Sequence, residues 1–201
     1  MDRFILQGGG EHARVVLDAL LSNGASVIGI FDPKYDDDLF GVPQLGNYDP
    51  AFEPGALAIV AIGNNQTRKK VAAGTSHGFA KCIHRSAVVS PFASVDAGIM
   101  ILHGAVIQAG AKLGRHAIIN TRASVDHDCV IGDFVHIAPG ATLCGTVQVG
   151  EGTLIGAGAT VLPGIQIGKW CTIGAGAVVT RNVEDDATVM GNPAKVITTN
   201  R

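Results

Sequence analysis

An aliphatic side chain occupies every sixth position of residues 113–137, which read LGRHAIINTRASVDHDCVIGDFVHI. The same spacing continues without interruption from Ile83 to Val179, which makes seventeen consecutive matches. A period of six fits neither the 3.6-residue turn of an α-helix nor the two-residue alternation of a long strand. It is typical of a hexapeptide solenoid, in which short strands alternate with corners and each aliphatic side chain points to a central axis.

A longer period of eighteen residues accompanies the hexads. The segment IGAGA occurs at 155–159 and again at 173–177, eighteen positions later. Three hexads therefore form one triangular coil, and successive coils stack at the strand spacing of about 4.8 Å. Residues eighteen apart should lie above one another, which makes the stacking a tool for locating a site. We expect the solenoid to begin near Ile83, and the polar tail after Val179 to cap its open end.

Residues 1–80 follow a different pattern, in which short apolar strands alternate with helices. Strands are predicted at 4–6, 27–31 and 57–62, helices at 12–21 and 66–73, and a fourth strand at 81–83 leads into the solenoid. This alternation favours a small parallel sheet with binding loops at the carboxyl ends of its strands. We therefore predict an α/β, Rossmann-like half domain at 1–80, followed by a parallel β-helix at 81–201.

Composition narrows the classes of function. A formal net charge of -2 gives no overall field that would recruit nucleic acid or an anionic membrane. No run approaches the roughly 20 apolar residues that span a bilayer, and the start lacks the apolar stretch of a signal peptide. Four cysteines show no C-x-x-C spacing. Cys129 and Cys171 stand where the repeat otherwise has alanine, which predicts small core residues rather than metal ligands or disulfides, and a reducing cytoplasm.

The first candidate site is a glycine cluster, Gly8-Gly9-Gly10-Glu11-His12-Ala13, placed between a predicted strand and a predicted helix. Backbone N–H groups and a helix N-terminus at such a place can hold a phosphate. Asp32, at the end of the next strand, could hold a ribose hydroxyl. About 80 residues provide only one mononucleotide half of the doubled fold, so a nucleotide or a nucleotide sugar fits better than a dinucleotide. The alternative is that these glycines only form a tight turn.

The second candidate site is Asp126-His127-Asp128. Since aliphatic residues line the solenoid axis, this charged triplet must lie at an outward corner of its coil. Histidine can accept a proton near neutral pH, and a neighbouring carboxylate would fix its tautomer and raise its basicity. Stacking places Gly145 over His127, so a bare backbone N–H could stabilise an oxyanion beside a general base. The alternative is a solvated histidine at a polar corner.

Histidines on such a scaffold could also bind zinc, as in a hydratase whose ligands come from two subunits. That use would require a close pair of histidines, and none occurs among His103, His116, His127 and His136, which are separated by 13, 11 and 9 residues. We therefore predict that the protein uses no metal. His77 and His84 have no evident partner in the sequence.

These residues together resemble the sugar acetyltransferases of the left-handed parallel β-helix class, and above all the nucleotide-sugar N-acetyltransferases of the PglD and perosamine type. NeuD-like sialate O-acetyltransferases are relatives of that group. The resemblance covers nearly the whole chain. It is carried by the glycine-rich loop with His12, Asp32, Ile62-Gly63-Asn64-Asn65, Ile119-Asn120-Thr121, the segment from Asp126 to Gly132, and Gly191-Asn192-Pro193-Ala194-Lys195.

The resemblance implies a homotrimer in which acetyl-CoA lies in the groove between neighbouring β-helices. It implies that His127 is the general base and that Asp128 raises its basicity. His136 and Gly145 match contacts to the thioester end of acetyl-CoA, and Ala157 and Ala175 match the pantetheine track. The nucleotide sugar would bind at Gly10, Glu11, His12, Asp32, Pro33 and Gly63, with its sugar reaching the groove of an adjacent subunit.

Two departures fall where the nucleotide would be recognised. Glu11 stands where the family often has glycine, and Pro33 replaces the second of two acidic residues. The choice between UDP and GDP therefore stays open. We predict a cytoplasmic, acetyl-CoA-dependent N-acetyltransferase for a nucleotide-linked 4-amino-4,6-dideoxy sugar. The alternatives are O-acetylation of a sialic acid or another sugar hydroxyl, and a non-catalytic scaffold that only binds nucleotide sugars.

Overall fold

The computed structural model describes residues 3–199. Its N-terminal part contains a three-stranded parallel sheet in the order β2-β1-β3 and two helices. The elements are β1 (Arg3–Gln7), α1 (Glu11–Ser22), β2 (Ser26–Phe31), β3 (Leu57–Val60) and α2 (Asn65–Ala73). The five elements predicted for this region are confirmed to within two residues at each end. The α2 helix begins earlier than expected because the side chain of Asn64 caps it, accepting a hydrogen bond from the Thr67 N–H at 2.9 Å.

The rest of the chain winds into a parallel β-helix with three faces. The first face contains β4 (Cys82–Ile83), β7 (Met100–Ile101), β10 (Ile118–Ile119), β13 (His136–Ile137), β16 (Leu154–Ile155) and β19 (Thr172–Ile173). The second contains β5 (Val88–Val89), β8 (Val106–Ile107), β11 (Ser124–Val125), β14 (Thr142–Leu143), β17 (Thr160–Val161) and β20 (Val178–Val179). The third contains β6 (Ser94–Val95), β9 (Lys112–Leu113), β12 (Val130–Ile131), β15 (Gln148–Val149) and β18 (Gln166–Ile167).

Every aliphatic residue of the six-residue series is the second residue of one of these strands. Strands of successive coils pair in parallel with partners eighteen residues apart, as in Ile119 with Ile137. From Ile101 to Val179 the series is buried in one continuous core, whereas Ile83, Val89 and Val95 of the first coil are only partly buried. Cys129 and Cys171 lie in the same core, as their spacing predicted. The predicted fold class is confirmed.

The C-terminal tail closes the far end of the solenoid. The strand β21 (Ala187–Met190) continues the first face, parallel to β19, and β22 (Lys195–Thr199) pairs with it in the antiparallel direction. Val183, Ala187 and Val189 extend the aliphatic core beyond the last hexad. The tail therefore buries apolar surface that the last coil would otherwise leave open.

The N-terminal part packs on the first face of the β-helix. Cys82, Met100 and Ile118 belong to strands of that face, and they are fully buried against the apolar side of α1. A fully buried Met or Ile side chain contributes about 1.5–3 kcal/mol. The strand expected at 81–83 leads into the β-helix as predicted, because Cys82 pairs with Met100, eighteen residues later.

Candidate active site

A cleft of about 410 Å³ opens at the carboxyl ends of β1, β2 and β3. The loops that follow these three strands form its walls, as expected for a parallel sheet. The structure brings together here all the residues proposed from the sequence for a nucleotide sugar, namely Gly10, Glu11, His12, Asp32, Pro33 and Gly63.

The glycine loop is held against its neighbours by close backbone contacts. Gly8 has a φ of +101°, and a Cβ there would lie 2.7 Å from Ile62. Asp32 ties this loop to the next one, because its carboxylate accepts hydrogen bonds from the N–H groups of Gly9 at 2.9 Å and Lys34 at 3.0 Å. Gly10 caps α1 without a side chain, so the first N–H groups of the helix remain available to an anion.

His12 lies between this cleft and the β-helix. Its ring packs against Gly63, with Cγ 3.8 Å from the position of an added Cβ, and its Nε2 is buried without a hydrogen-bond partner among residues 3–199. Burial, followed by the charge of Arg68, lowers the pKa of His12 to about 4. The ring is therefore neutral at physiological pH.

Glu11 and Pro33 are both exposed at the rim of the cleft. Glu11 is the first residue of α1, where a carboxylate is favourable for the helix but adds negative charge next to the N–H groups that would hold a phosphate. The two positions that depart from the family pattern thus both lie at the cleft.

His127 lies at the corner between the second and third faces, on the coil that contains β11 and β12. Its Nδ1 is 3.0 Å from Asp128 Oδ2, and the side chain is exposed. This hydrogen bond, together with the charges of Asp126 and Asp128, raises the pKa of His127. Because Asp128 accepts the Nδ1 proton, Nε2 of the neutral ring carries the lone pair, which is the arrangement of a general base.

Two glycines, one coil on either side, leave space for this pair. A Cβ on Gly145 would lie 2.6 Å from His127 Cε1, and a Cβ on Gly110 would overlap the Asp128 carboxylate. The N–H of the next residue, Thr146, donates to the His127 carbonyl oxygen at 2.9 Å. The Gly145 N–H donates to no acceptor in the described part of the chain. A ring that could act as a general base therefore lies beside a backbone N–H that has no partner among residues 3–199.

His136 lies elsewhere in the chain, on the first face, which is opposite the corner that carries His127. Its Nε2 accepts from the Asn120 amide at 3.0 Å, and its ring centroid is 6.2 Å from that of His12. Burial and the charge of Arg68 lower its pKa to about 4. A single chain therefore does not bring His127 and His136 together.

Ala157 and Ala175 are exposed at the corner between the first and second faces, one above the other. The glycines that follow them, Gly158 and Gly176, have open space around the position of a Cβ. The corner therefore forms a ledge of small residues beside the face that carries His136.

Among residues 3–199 there is no group of His, Cys, Asp and Glu that could hold a metal ion.

Two family models match the chain. One, described as the PglD N-terminal domain, matches residues 3–74, and the other, described as bacterial transferase hexapeptide (six repeats), matches 110–145 and 146–181. A mutant of perosamine N-acetyltransferase from Caulobacter crescentus, solved in complex with CoA and GDP-perosamine, is 37% identical to this chain, with 98% of each chain covered and a TM-score of 0.95. This chain belongs to the PglD and perosamine N-acetyltransferase family.

Other members of the family agree with this assignment. The acetyltransferase domain of PglB from Neisseria gonorrhoeae FA1090, in complex with acetyl coenzyme A, is 35% identical, covers 97% of this chain and 98% of its own, and has a TM-score of 0.91. GDP-perosamine N-acetyltransferase of Escherichia coli O157:H7 is 33% identical over 144 residues, which are 70% of this chain but only 60% of that protein. The predicted resemblance is confirmed.

The sequence did not identify two residues that hold this part of the structure together. Arg68 is fully buried between α2 and the β-helix, and Asn120 orients His136, yet neither carries a local signal of such a role. The sequence shows no evident partner for His77 or His84, but the structure gives one to each. His77 lies 2.6 Å from the Tyr48 hydroxyl, and His84 stacks on His103 with ring centroids 3.7 Å apart. These partners are distant in sequence or depend on coil stacking.

Within residues 3–199, no helix is both long and apolar enough to cross a membrane.

Proposed function

We propose that this chain transfers the acetyl group of acetyl-CoA to the amino group of a nucleotide-linked 4-amino-4,6-dideoxy sugar, for surface glycan or glycoprotein synthesis. The observation that carries the proposal is the corner at His127. Asp128 holds Nδ1 of its ring at 3.0 Å, which leaves Nε2 as the acceptor, and the Gly145 N–H next to it has no partner within residues 3–199.

The transfer is direct. The sugar amine attacks the thioester carbonyl carbon while His127 Nε2 takes the proton that the amine loses. The developing oxyanion accepts a hydrogen bond from the Gly145 N–H. Because the backbone holds this donor in place before the reaction, it does not have to reorient as the charge develops. When the tetrahedral intermediate collapses, the carbon–sulfur bond breaks and the thiolate of CoA leaves, taking the proton from the imidazolium.

We assign the nucleotide sugar to residues 1–80 and acetyl-CoA to residues 81–201. Gly10, Glu11, His12, Asp32, Pro33 and Gly63 would bind the nucleotide sugar, and His136, Gly145, Ala157 and Ala175 would bind acetyl-CoA. Because His127 and His136 lie on opposite sides of the prism, one active site needs the corner of one subunit and the first face of another. A homotrimer with its sites between subunits meets this requirement. Acetyl-CoA and nucleotide sugars are cytoplasmic metabolites, so the setting we propose is the cytoplasm.

The test is incubation of the protein with labelled acetyl-CoA and a panel of nucleotide-linked amino sugars and hydroxy sugars. We expect label only on the 4-amino sugars, and a loss of about 10²–10⁴ in kcat for His127→Ala, the range for removal of a general base. Acetylation of a hydroxyl sugar alone would identify an O-acetyltransferase. Binding of nucleotide sugar without turnover would identify a scaffold.

Cys144 provides a matched control, since it directly precedes Gly145 and is partly exposed. A mechanism with an acetyl-cysteine intermediate would require its thiol, whereas direct transfer does not. We expect Cys144→Ala to retain activity within about threefold, and to show no burst of free CoA in the absence of sugar.

A further inference from the structure

Arg68 is the largest fully buried side chain in the described part of the protein. It lies in α2, at the junction with the β-helix, and all five N–H groups of its guanidinium donate to neutral acceptors. The acceptors, at 2.8–3.0 Å, are the carbonyl oxygens of Ile62, Gly63, His116 and Phe134 and the amide oxygen of Asn65.

The charge of Arg68 has no counter-ion within the part of the chain that the structure describes. No carboxylate of residues 3–199 forms an ion pair with it. Burial lowers the pKa of Arg68 to about 9, which still leaves the guanidinium protonated at neutral pH. An uncompensated buried charge is costly, and hydrogen bonds to neutral acceptors offset only part of that cost. The fold therefore retains a positive charge that would be stabilised by an anion nearby.

Of the open spaces that border the acceptors of Arg68, the nucleotide cleft is the one that also contains the N-terminus of α1. Two of the carbonyl groups bound to Arg68 belong to Ile62 and Gly63, which line the cleft. The charge of Arg68 also acts on His12, another cleft residue. The N-terminus of α1, which no side chain caps, lines the same cleft at Gly10 and Glu11. The carboxylate of Asp32 is engaged by two N–H groups, and Glu11 and Lys34 lie at the exposed rim.

We propose that Arg68 is the counter-charge for the diphosphate of the nucleotide sugar, acting through the Gly63 loop without touching the ligand. Arg68 is thus a positioning residue: it fixes the Gly63 loop on the β-helix, and its field makes the cleft select a diphosphate over a monophosphate. This inference rests on the proposed function only in that the cleft must bind a nucleoside diphosphate.

The experiment is isothermal titration of the wild type, Arg68→Met and Arg68→Lys with GDP and GMP, and with UDP and UMP in parallel. We expect Arg68→Met to weaken binding of the diphosphate by about tenfold and binding of the monophosphate by less, because the energy scales with the charge of the ligand. Arg68→Lys keeps the charge but cannot make five hydrogen bonds, so it should keep the preference for diphosphate while losing thermal stability. CoA affinity reports whether the β-helix is intact.

A second variant covers the case in which Arg68→Met does not fold. Asn65→Asp places a carboxylate at the atom that accepts from Arg68 Nη2 at 2.8 Å, and so supplies the missing counter-ion, while it loses the hydrogen bonds that the Asn65 amide donates to the carbonyl oxygens of Gly152 and Thr153. It should reduce the preference for diphosphate as Arg68→Met does. An unchanged ratio of GDP to GMP affinity in either folded variant would overturn the role of Arg68 alone. A wild type that binds neither GDP nor UDP would overturn the proposed function, and this inference with it.

Discussion

The imidazole of His127 lies against the α-carbon of Gly145, one coil further along the chain, with no room for a side chain between them. A methyl group on Gly145 would sit 2.6 Å from His127 Cε1, well inside van der Waals contact. The absence of a side chain at 145 is therefore what allows the ring to lie beside a free backbone N–H.

Gly145→Ala should displace the imidazole without disturbing the backbone, since Gly145 is not among the glycines with positive φ. A shift of about 1 Å in a reacting group can lower the rate by about 10²-fold, and we expect a loss of that order in kcat. Gly55→Ala is the matched control, because a Cβ there meets nothing within 4 Å. Steady-state kinetics and melting temperatures of both variants check this. A Gly145→Ala enzyme with wild-type kcat would contradict the role of the corner.

Asp128→Asn tests the source of the basicity of His127. The carboxylate raises the pKa of His127, and only the unprotonated ring can act as the base. Without that charge the pKa of His127 falls, so the acidic limb of the kcat/KM profile should move to lower pH. The weaker base should also lower the plateau of kcat/KM by about tenfold, which is less than the full contribution of a general base. Asparagine also tolerates the positive φ of 58° at this position.

Asp126→Asn is the comparison variant for this experiment. Asp126 accepts from the His127 backbone N–H at 2.7 Å and acts on the ring only through its charge. The pH profile should therefore shift in the same direction but by less than in Asp128→Asn. A larger shift in the Asp126 variant would mean that the hydrogen bond between Nδ1 and Asp128 is not the main cause of the raised pKa of His127.

The fold could be predicted from the sequence because its determinants are local and repeated. Each hexad specifies one strand and one buried aliphatic, so the phase of the repeat alone places His127 at a corner beneath Gly145 and places His136 half a coil away. Arg68 could not be found in this way. Its partners His116 and Phe134 are 48 and 66 residues away, and they meet only when the N-terminal part packs on the first face. The pairing of Cys82 with Met100, in contrast, follows from the stacking of residues eighteen apart.

Glu11 should weaken the binding of nucleotides. It is exposed at the start of α1, beside the N–H groups that would hold a phosphate, and it forms no ion pair within residues 3–199. Glu11→Gln removes the charge, so we expect a two- to fivefold lower Kd for a nucleoside diphosphate, at a cost of about 0.3–1 kcal/mol in helix stability. Thermal shifts with UDP, GDP and CMP, each with and without CoA, identify the base and show which diphosphate to titrate. A weaker affinity in the Gln variant would show that the carboxylate helps to bind the ligand.

Acid should destabilise the protein through its buried neutral histidines. Burial lowers the pKa of His12, His116 and His136 from 6.5 to about 4. Between these values the unfolded chain binds a proton that the folded chain does not, so stability falls as the pH drops from about 6.5 toward 4 and is unaffected above that window. By pH 5 the effect is about 2 kcal/mol for each histidine. Urea unfolding at pH 7.5 and pH 5 measures it.

His136→Gln removes one of these groups and should shrink the difference between the two pH values. His127→Ala is the control, since His127 is exposed and its pKa is raised rather than lowered. That variant should keep the full acid sensitivity of the wild type. The stability lost in acid arises from the buried histidines, whose protonation would place a second positive charge next to Arg68 where the N-terminal part packs on the β-helix. Equal free energies of unfolding at pH 7.5 and pH 5 would mean that the junction admits water and that these histidines titrate normally.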